Sequence, residues 1–106
     1  MLTGIAKNKT MYIKIHKYGN STIVALCDRE LIGKTLKEGN ISVIITEEFY
    51  KGEIISEEDA ISIISKASNV NIFGERAVSC AVRCGVVDEM NIKVIDDVAH
   101  AQVFRI

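Results

Sequence analysis

The side chains of this 106-residue chain that could do chemistry are few and scattered. Cys80 and Cys84 stand four apart, so on a helix they share a face. With Cys27 and His100 they could form a Cys₃His zinc set. No CxxC occurs, so neither a redox motif nor a zinc ribbon is indicated, and buried cysteines acting as small apolar groups are the plainer reading. A cysteine nucleophile would need a base and an orienting third group. His100 could be that base and Asp28, Asp96 or Asp97 the third group, but no spacing demands it. Asp96-Asp97-Val98-Ala99-His100 sets two carboxylates beside an imidazole in what reads as a loop. Metal binding or proton transfer is conceivable there, although turn-forming Asp beside a solvated His is commoner.

Two further stretches could bind rather than react. Asn71-Ile72-Phe73-Gly74-Glu75-Arg76 leads into a helix, whose free N–H groups could hold a phosphate with help from Arg76. Glu75 in the first turn works against an anion, and the stretch is neither a P-loop nor a dinucleotide fingerprint. Asn71 as a cap and Gly74 as a packing residue is the simpler account. Phe49, Tyr50 and Phe73 could stack on unpaired bases. In a domain this small such rings more often complete the core.

The elements that must position these groups follow from patterning. Met11, Ile13 and Ile15 alternate with Tyr12, Lys14 and His16, as in a half-buried strand. Tyr18-Gly19-Asn20-Ser21 supplies a tight turn. TIVALC (22–27) is apolar on both faces and reads as a central strand. Residues 28–34 break the pattern, and Lys37-Glu38-Gly39-Asn40 signals another turn. ISVIIT (41–46) is a third strand with Ile41, Val43 and Ile45 inward, and a short extended piece covers 53–55. Ser56 followed by Glu57, Glu58 and Asp59 starts a helix, since Ser caps and acids suit the positive end of the dipole. Asn69 ends that helix, residues 71–74 form a short break, and Glu75 to Cys84 is a second helix stopped by Gly85. IKVI (92–95) and QVFRI (102–106) close the chain as strands around Asp96–Ala101. Segregated strands and helices imply an α+β fold: a mostly antiparallel sheet with two helices packed on it.

Composition narrows the classes. At 48% apolar and 25% charged, the chain has the make-up of a globular protein rather than a disordered one. Its length falls below the ~150 residues often taken as one domain, so a single small domain over 11–106 is expected, with residues 1–10 as a flexible lead-in. The patterned sequence begins at Met11, which is a second candidate start. Seventeen Ile and ten Val against four Leu favour sheet. Three cysteines are too few for a disulfide scaffold. No run reaches the ~18 apolar residues of a membrane helix, and the first ten residues lack a signal-peptide core. A cytoplasmic location without membrane contact is expected. A net charge of −1 argues against a generic polyanion binder. The charge is uneven, however: Lys7, Lys9, Lys14 and Lys17 precede the first acid, whereas six acids face one lysine between Glu47 and Asp59. That is either two solvated faces or a basic edge for nucleic acid or an acidic partner.

Four collinear segments resemble the archaeal "domain of unknown function 424" family. They are Val24-Ala25-Leu26-Cys27-Asp28 with Leu31, Gly33 and Lys34; Phe49-Tyr50 with Gly52; Asn71, Gly74-Glu75-Arg76-Ala77 and Gly85; and His100-Ala101-Gln102-Val103. The family usually reads Gly-Val-Pro-His-Ala where this chain has Asp97-Val98-Ala99-His100-Ala101, so the imidazole is kept without the rigid Pro before it. The resemblance implies a small archaeal cytoplasmic protein linked to translation, the ribosome or RNA. Its matched polar residues, Asp28, Asn71, Glu75, Arg76, His100 and Gln102, are the candidate binding site, expected to converge from element ends on one surface.

The leading expectation is a non-catalytic binding protein whose partner is RNA or a ribosomal or translation protein, contacted by Arg76, His100, Gln102 and the N-terminal lysines. A second is a small-molecule enzyme using His100 with a carboxylate from Asp28, Glu75, Asp96 or Asp97. A third is a structural subunit of a homo-oligomer or larger complex. No motif calls for a cofactor or a bound metal.

Overall fold

The first hairpin forms where alternation and turn chemistry agree. In the computed structural model, which describes residues 10–105, strands β1 (Met11–Tyr18) and β2 (Ser21–Asp28) pair antiparallel from Met11↔Asp28 to Tyr18↔Ser21. Gly19 sits in the turn at φ 61°, where a side chain would be strained. After a 3₁₀ turn at Arg29–Leu31 come β3 (Thr35–Glu38), β4 (Ile41–Ile44), the one-turn helix α1 (Glu47–Tyr50), β5 (Glu53–Ile55) and α2 (Glu57–Ile64). Strand β6 (Asn69–Phe73), α3 (Glu75–Arg83), a 3₁₀ turn at Glu89–Asn91, β7 (Lys93–Ile95) and β8 (Val98–Phe104) complete the chain. The expected lead-in at 1–10, with Lys7 and Lys9, lies outside the described residues except for Thr10, whose carbonyl accepts from the Arg29 N–H at 3.0 Å.

Six strands make one sheet in the order β5-β1-β2-β6-β8-β7. Every pair is antiparallel except β2 with β6, which run parallel from Val24↔Val70 to Cys27↔Phe73. The α+β class holds, but the sheet is larger than the expected one, it is mixed, and the described residues form three helices. The difference arises at β6. Residues 71–74 read as a break because a five-residue strand between two helices offers too few positions to show a period. Asn69, Asn71 and Phe73 face one side and Val70 and Ile72 the other, and the strand sits at the centre of the sheet. ISVIIT does not extend this sheet: Ile41–Ile44 pairs with Thr35–Glu38 as a separate hairpin. Ile45 is buried as expected, whereas Ile41 is exposed. Asp96 and Asp97 both adopt positive φ (52° and 65°) in the two-residue turn between β7 and β8. His100 therefore lies on a strand, not in a loop.

Two clusters hold the fold, one on each side of the sheet. On the helical side, Ala60 and Ile64 of α2 and Ala77, Val78, Cys80 and Ala81 of α3 pack on Met11, Ile13, Val24, Leu26, Val70, Ile72, Ala101 and Val103. The Ser56 hydroxyl caps α2 by accepting from the Asp59 N–H at 3.2 Å. On the other side, Leu31, Leu36, Ile45 and Tyr50 cover Ala25, Cys27 and Phe73. Cys27 and Cys80 are thus on opposite sides of the sheet, so the four-residue zinc set does not assemble. Among the described residues no group of three or more His, Cys, Asp or Glu side chains is placed to hold a metal ion. No helix among them is long and apolar enough to cross a membrane. The radius of gyration is 13.4 Å, close to the ~13 Å of a single compact domain of this size.

Candidate functional site

The six residues singled out from the sequence fall into two groups. Asp28, Glu75 and Arg76 meet at the start of α3. Gly74, at φ 112°, occupies the cap position and has no side chain to cap with. Asp28 does so instead, from the end of β2. Its carboxylate is 2% exposed and accepts the Ala77 N–H at 2.9 Å and the Arg76 N–H at 3.1 Å. The Arg76 guanidinium lies 3.5 Å from Asp28 and 2.8 Å from Glu30. Burial pushes the Asp28 carboxyl above its ordinary range, against the two N–H donors and Arg76, which pull it down. Glu30 is slightly buried, yet the hydrogen bond from Arg76 holds it below the usual carboxylate range. The helix N-terminus read as a phosphate site is therefore already filled by a carboxylate of the chain itself. The adjoining cleft of about 280 Å³ adds Glu30, Glu75 and Asp97, a lining hostile to anions. Gly74 is required here for space as well as angle, because an added Cβ would overlap the Asp28 carboxyl group.

Asn71, His100 and Gln102 form the second group, on the non-helical face. There a row of rings crosses the sheet: His16 stacks on Phe49 (4.4 Å between centroids), Phe49 meets Tyr50 edge-on (4.9 Å), Tyr50 meets Phe73 (5.8 Å), and Phe73 stacks on His100 (4.1 Å). Tyr50 and Phe73 are buried, so these rings complete the core. The row also marks a boundary. On one side the β3–β4 hairpin and α1 cover the sheet. On the other the strands lie open and carry Tyr18, Asn69, Asn71, Gln102 and Phe104. Asn71 stands opposite Gln102 and Asn69 opposite Phe104 in the β6–β8 register. Tyr18 is 57% and Phe104 73% exposed.

Hydrogen bonds fix what this open half presents. The Tyr50 hydroxyl donates to Asn71 Oδ1 at 3.3 Å, which leaves the Asn71 NH₂ as an outward donor. Burial, with a smaller contribution from Cys27, pushes the Tyr50 phenol well above its usual range, so it remains a donor. His100 Nδ1 lies 2.9 Å from the Ile72 carbonyl and must donate to it, so Nε2 is the free ring atom. His16 Nε2 bonds the Phe49 carbonyl in the same way at 2.8 Å. None of the side chains that β1, β2, β6, β7 and β8 direct to this face is acidic, and Lys14 and Lys93 are among them. Glu57, Glu58 and Asp59 in the first turn of α2 and Glu75 in that of α3 lie on the helical side, while Glu38 of β3 and Glu47 and Glu48 of α1 belong to the cover over the other half of this face. The two groups of candidate residues line different cavities. His100 and Gln102 share one of about 210 Å³ with Asn91, Lys93 and Ala101, and no carboxylate borders it. Asn69, Lys93 and Phe104 were not singled out from the sequence. The alternation Asn69-Val70-Asn71-Ile72 and the run Val98–Phe104 carry the signal that finds them.

Fold and site together define a small α+β protein whose mixed sheet is closed by helices on one face and half open on the other. The chain belongs to the family of proteins of unknown function DUF424, whose family model matches residues 5–106. It is similar to a solved structure, the crystal structure of an uncharacterized conserved protein from Methanopyrus kandleri, at 30% identity and a TM-score of 0.79. That likeness covers 91% of this chain and 94% of the other. No curated protein matches the chain.

Proposed function

We propose that this is a non-catalytic RNA-binding protein that contacts single-stranded RNA through the open half of its sheet, within the translation or ribosome setting that the family resemblance suggests. The observation that carries the reading is the make-up of that half-face. Asn71 stands in cross-strand register with Gln102, and Asn69 with the exposed ring of Phe104, on strand faces without a carboxylate. Unpaired bases stack on rings and offer edges to amides, and sheet surfaces are a recurrent platform for them. The mild acidity of the whole chain is no obstacle, because none of its carboxylates is carried on these strand faces.

Binding is favoured over acid–base chemistry for a specific reason. The cavity beside His100 is bordered by no carboxylate, and its volume of about 210 Å³ is below the roughly 300–1,000 Å³ of small-molecule sites. Asp28, the buried carboxylate of the expected enzyme, is occupied in holding α3.

The test is fluorescence anisotropy with a labelled ten-nucleotide RNA of mixed sequence, single-stranded and as a duplex, at low and moderate salt. The single strand is expected to bind more tightly than the duplex. Gln102→Ala and Phe104→Ala should each weaken it about 5- to 100-fold, the range of one lost base contact. Absence of binding at low salt, or equal affinity of both variants with the parent chain, overturns the reading. Ribonuclease-resistant capture of a ribosomal protein through the same face would replace RNA by protein as the partner.

A further inference from the structure

We infer that the cavity at the outer edge of β8 is a phosphate subsite of the RNA surface, seating a phosphodiester beside a base held by Asn71 and Gln102. The inference rests on the RNA-binding reading for its ligand, and on the cavity's own lining for its chemistry. Strand β7 stops where Lys93 pairs with His100, so beyond that pair no described strand borders the outer edge of β8. Asn91, in the 3₁₀ turn before β7, closes the end of the gap that results. The side chains around it are an ammonium, an imidazole and two carboxamides, from Lys93, His100, Asn91 and Gln102.

This set suits a phosphate for three reasons. Lys93 and the two NH₂ groups are donors, and a phosphodiester only accepts. His100 is held in place before any ligand arrives: its Nδ1 is tied to the Ile72 carbonyl at 2.9 Å and its ring is stacked on Phe73 at 4.1 Å. Its Nε2 is then the ring atom left for a ligand, the geometry from which an imidazolium donates to a phosphate oxygen. Finally, a space of about 210 Å³ admits a phosphate group but not a whole nucleotide, which fits a backbone subsite next to a base platform. Gln102 belongs to both, since it borders the cavity and stands opposite Asn71. The open half-face would thus read a strand with its backbone along β8 and its bases turned toward β6.

The experiment has two arms on the full chain. In the first, inorganic phosphate is titrated while backbone amides are followed by NMR. Saturable shifts are expected at Asn91, Lys93, Ala101 and Gln102, and their loss in Lys93→Ala, an exposed position whose change should leave the melting temperature unmoved. In the second, decauridylate is bound across a salt series. Lys93→Ala should weaken it and make the log–log salt slope shallower by about 0.7, the value of one phosphate contact on a single strand. Absence of saturable shifts with phosphate, or an unchanged salt slope in Lys93→Ala with the oligonucleotide still bound, overturns the subsite and leaves the RNA reading standing. Phosphate shifts at these four residues without any binding of decauridylate overturn the RNA reading, while keeping the cavity as an anion site.

Discussion

Replacing Asp28 by Ala is the sharpest test of how the start of α3 is held. The substitution removes the acceptor of two backbone N–H groups, those of Arg76 at 3.1 Å and Ala77 at 2.9 Å. Hydrogen bonds to a charged acceptor contribute about 1.5–3 kcal/mol each. Part of that sum is recovered, because a buried charge disappears and water can reach the half-exposed Arg76 side of the site. A net loss of about 2–3 kcal/mol remains, at or slightly above the largest costs of losing a helix cap. For a domain of this size that lowers the melting temperature by roughly 10–20 °C. The assay is thermal and urea unfolding of parent and variant at neutral pH. A drop below about 4 °C would refute the capping role. Asp28→Asn sharpens the test. It keeps one acceptor and no charge, so it should cost about 1 kcal/mol. Burial raises the Asp28 pKa in the folded chain above its ordinary 3.8. The folded state then holds a proton that the unfolded chain has released, so this group's contribution to stability is full below the ordinary value and is lost as pH rises through the raised one. Parent stability should therefore decline relative to Asp28→Asn as pH climbs above about 4. A parent that gains on Asp28→Asn over that range would show that the N–H donors and Arg76 outweigh burial.

Other expectations follow from the same geometry. Gly74→Ala places a Cβ on the Asp28 carboxyl group at a φ of 112°, and should destabilise by at least as much as Asp28→Ala, by about 3 kcal/mol or more in urea unfolding. Burial pushes the Cys27 thiol up to about 12 and the Cys80 thiol up to about 11, so alkylation of the native chain at pH 8 should leave both unlabelled while half-buried Cys84 reacts first; mass spectrometry after digestion reads this out. Tyr50→Phe frees Asn71 Oδ1 and lets its amide turn, which should weaken single-stranded RNA about 2- to 10-fold with little change in melting temperature, and an unchanged affinity would remove Asn71 from the surface.

What could be read in the sequence was what rests on local pattern. The first hairpin, the Ser56 cap and the Gly85 stop each depend on neighbours within a few residues, and each is found as expected. What could not be read depends on partners far along the chain. β6 looks like a break until β2 is known to lie beside it, and its two asparagines look like caps until β8 gives them neighbours. The hairpin at 35–44 fails as a sheet strand because its partner is itself, while Ile45 is buried beneath the other face. Asp28 is the plainest case. In sequence it is a charged residue at the end of an apolar strand, and the group it holds is 48 and 49 positions away.

That placement also explains why the candidate residues divide. A carboxylate that satisfies buried N–H groups cannot serve an outside ligand without uncapping α3, and the acids around it repel anions. The helix start is thereby removed from the list of binding surfaces, although Arg76 stands there. The non-helical face has the reverse character. Two of its polar groups are held by the core, Asn71 by the Tyr50 hydroxyl and His100 by the Ile72 carbonyl, yet each keeps a free end, the Asn71 NH₂ and His100 Nε2. Groups fixed on one side and unsatisfied on the other are what a binding surface requires, since little ordering remains to be done when a ligand arrives. Net charge averages over the whole surface and hides this difference, and only the sheet order and register separate the acids around the start of α3 from the amides of β6 and β8.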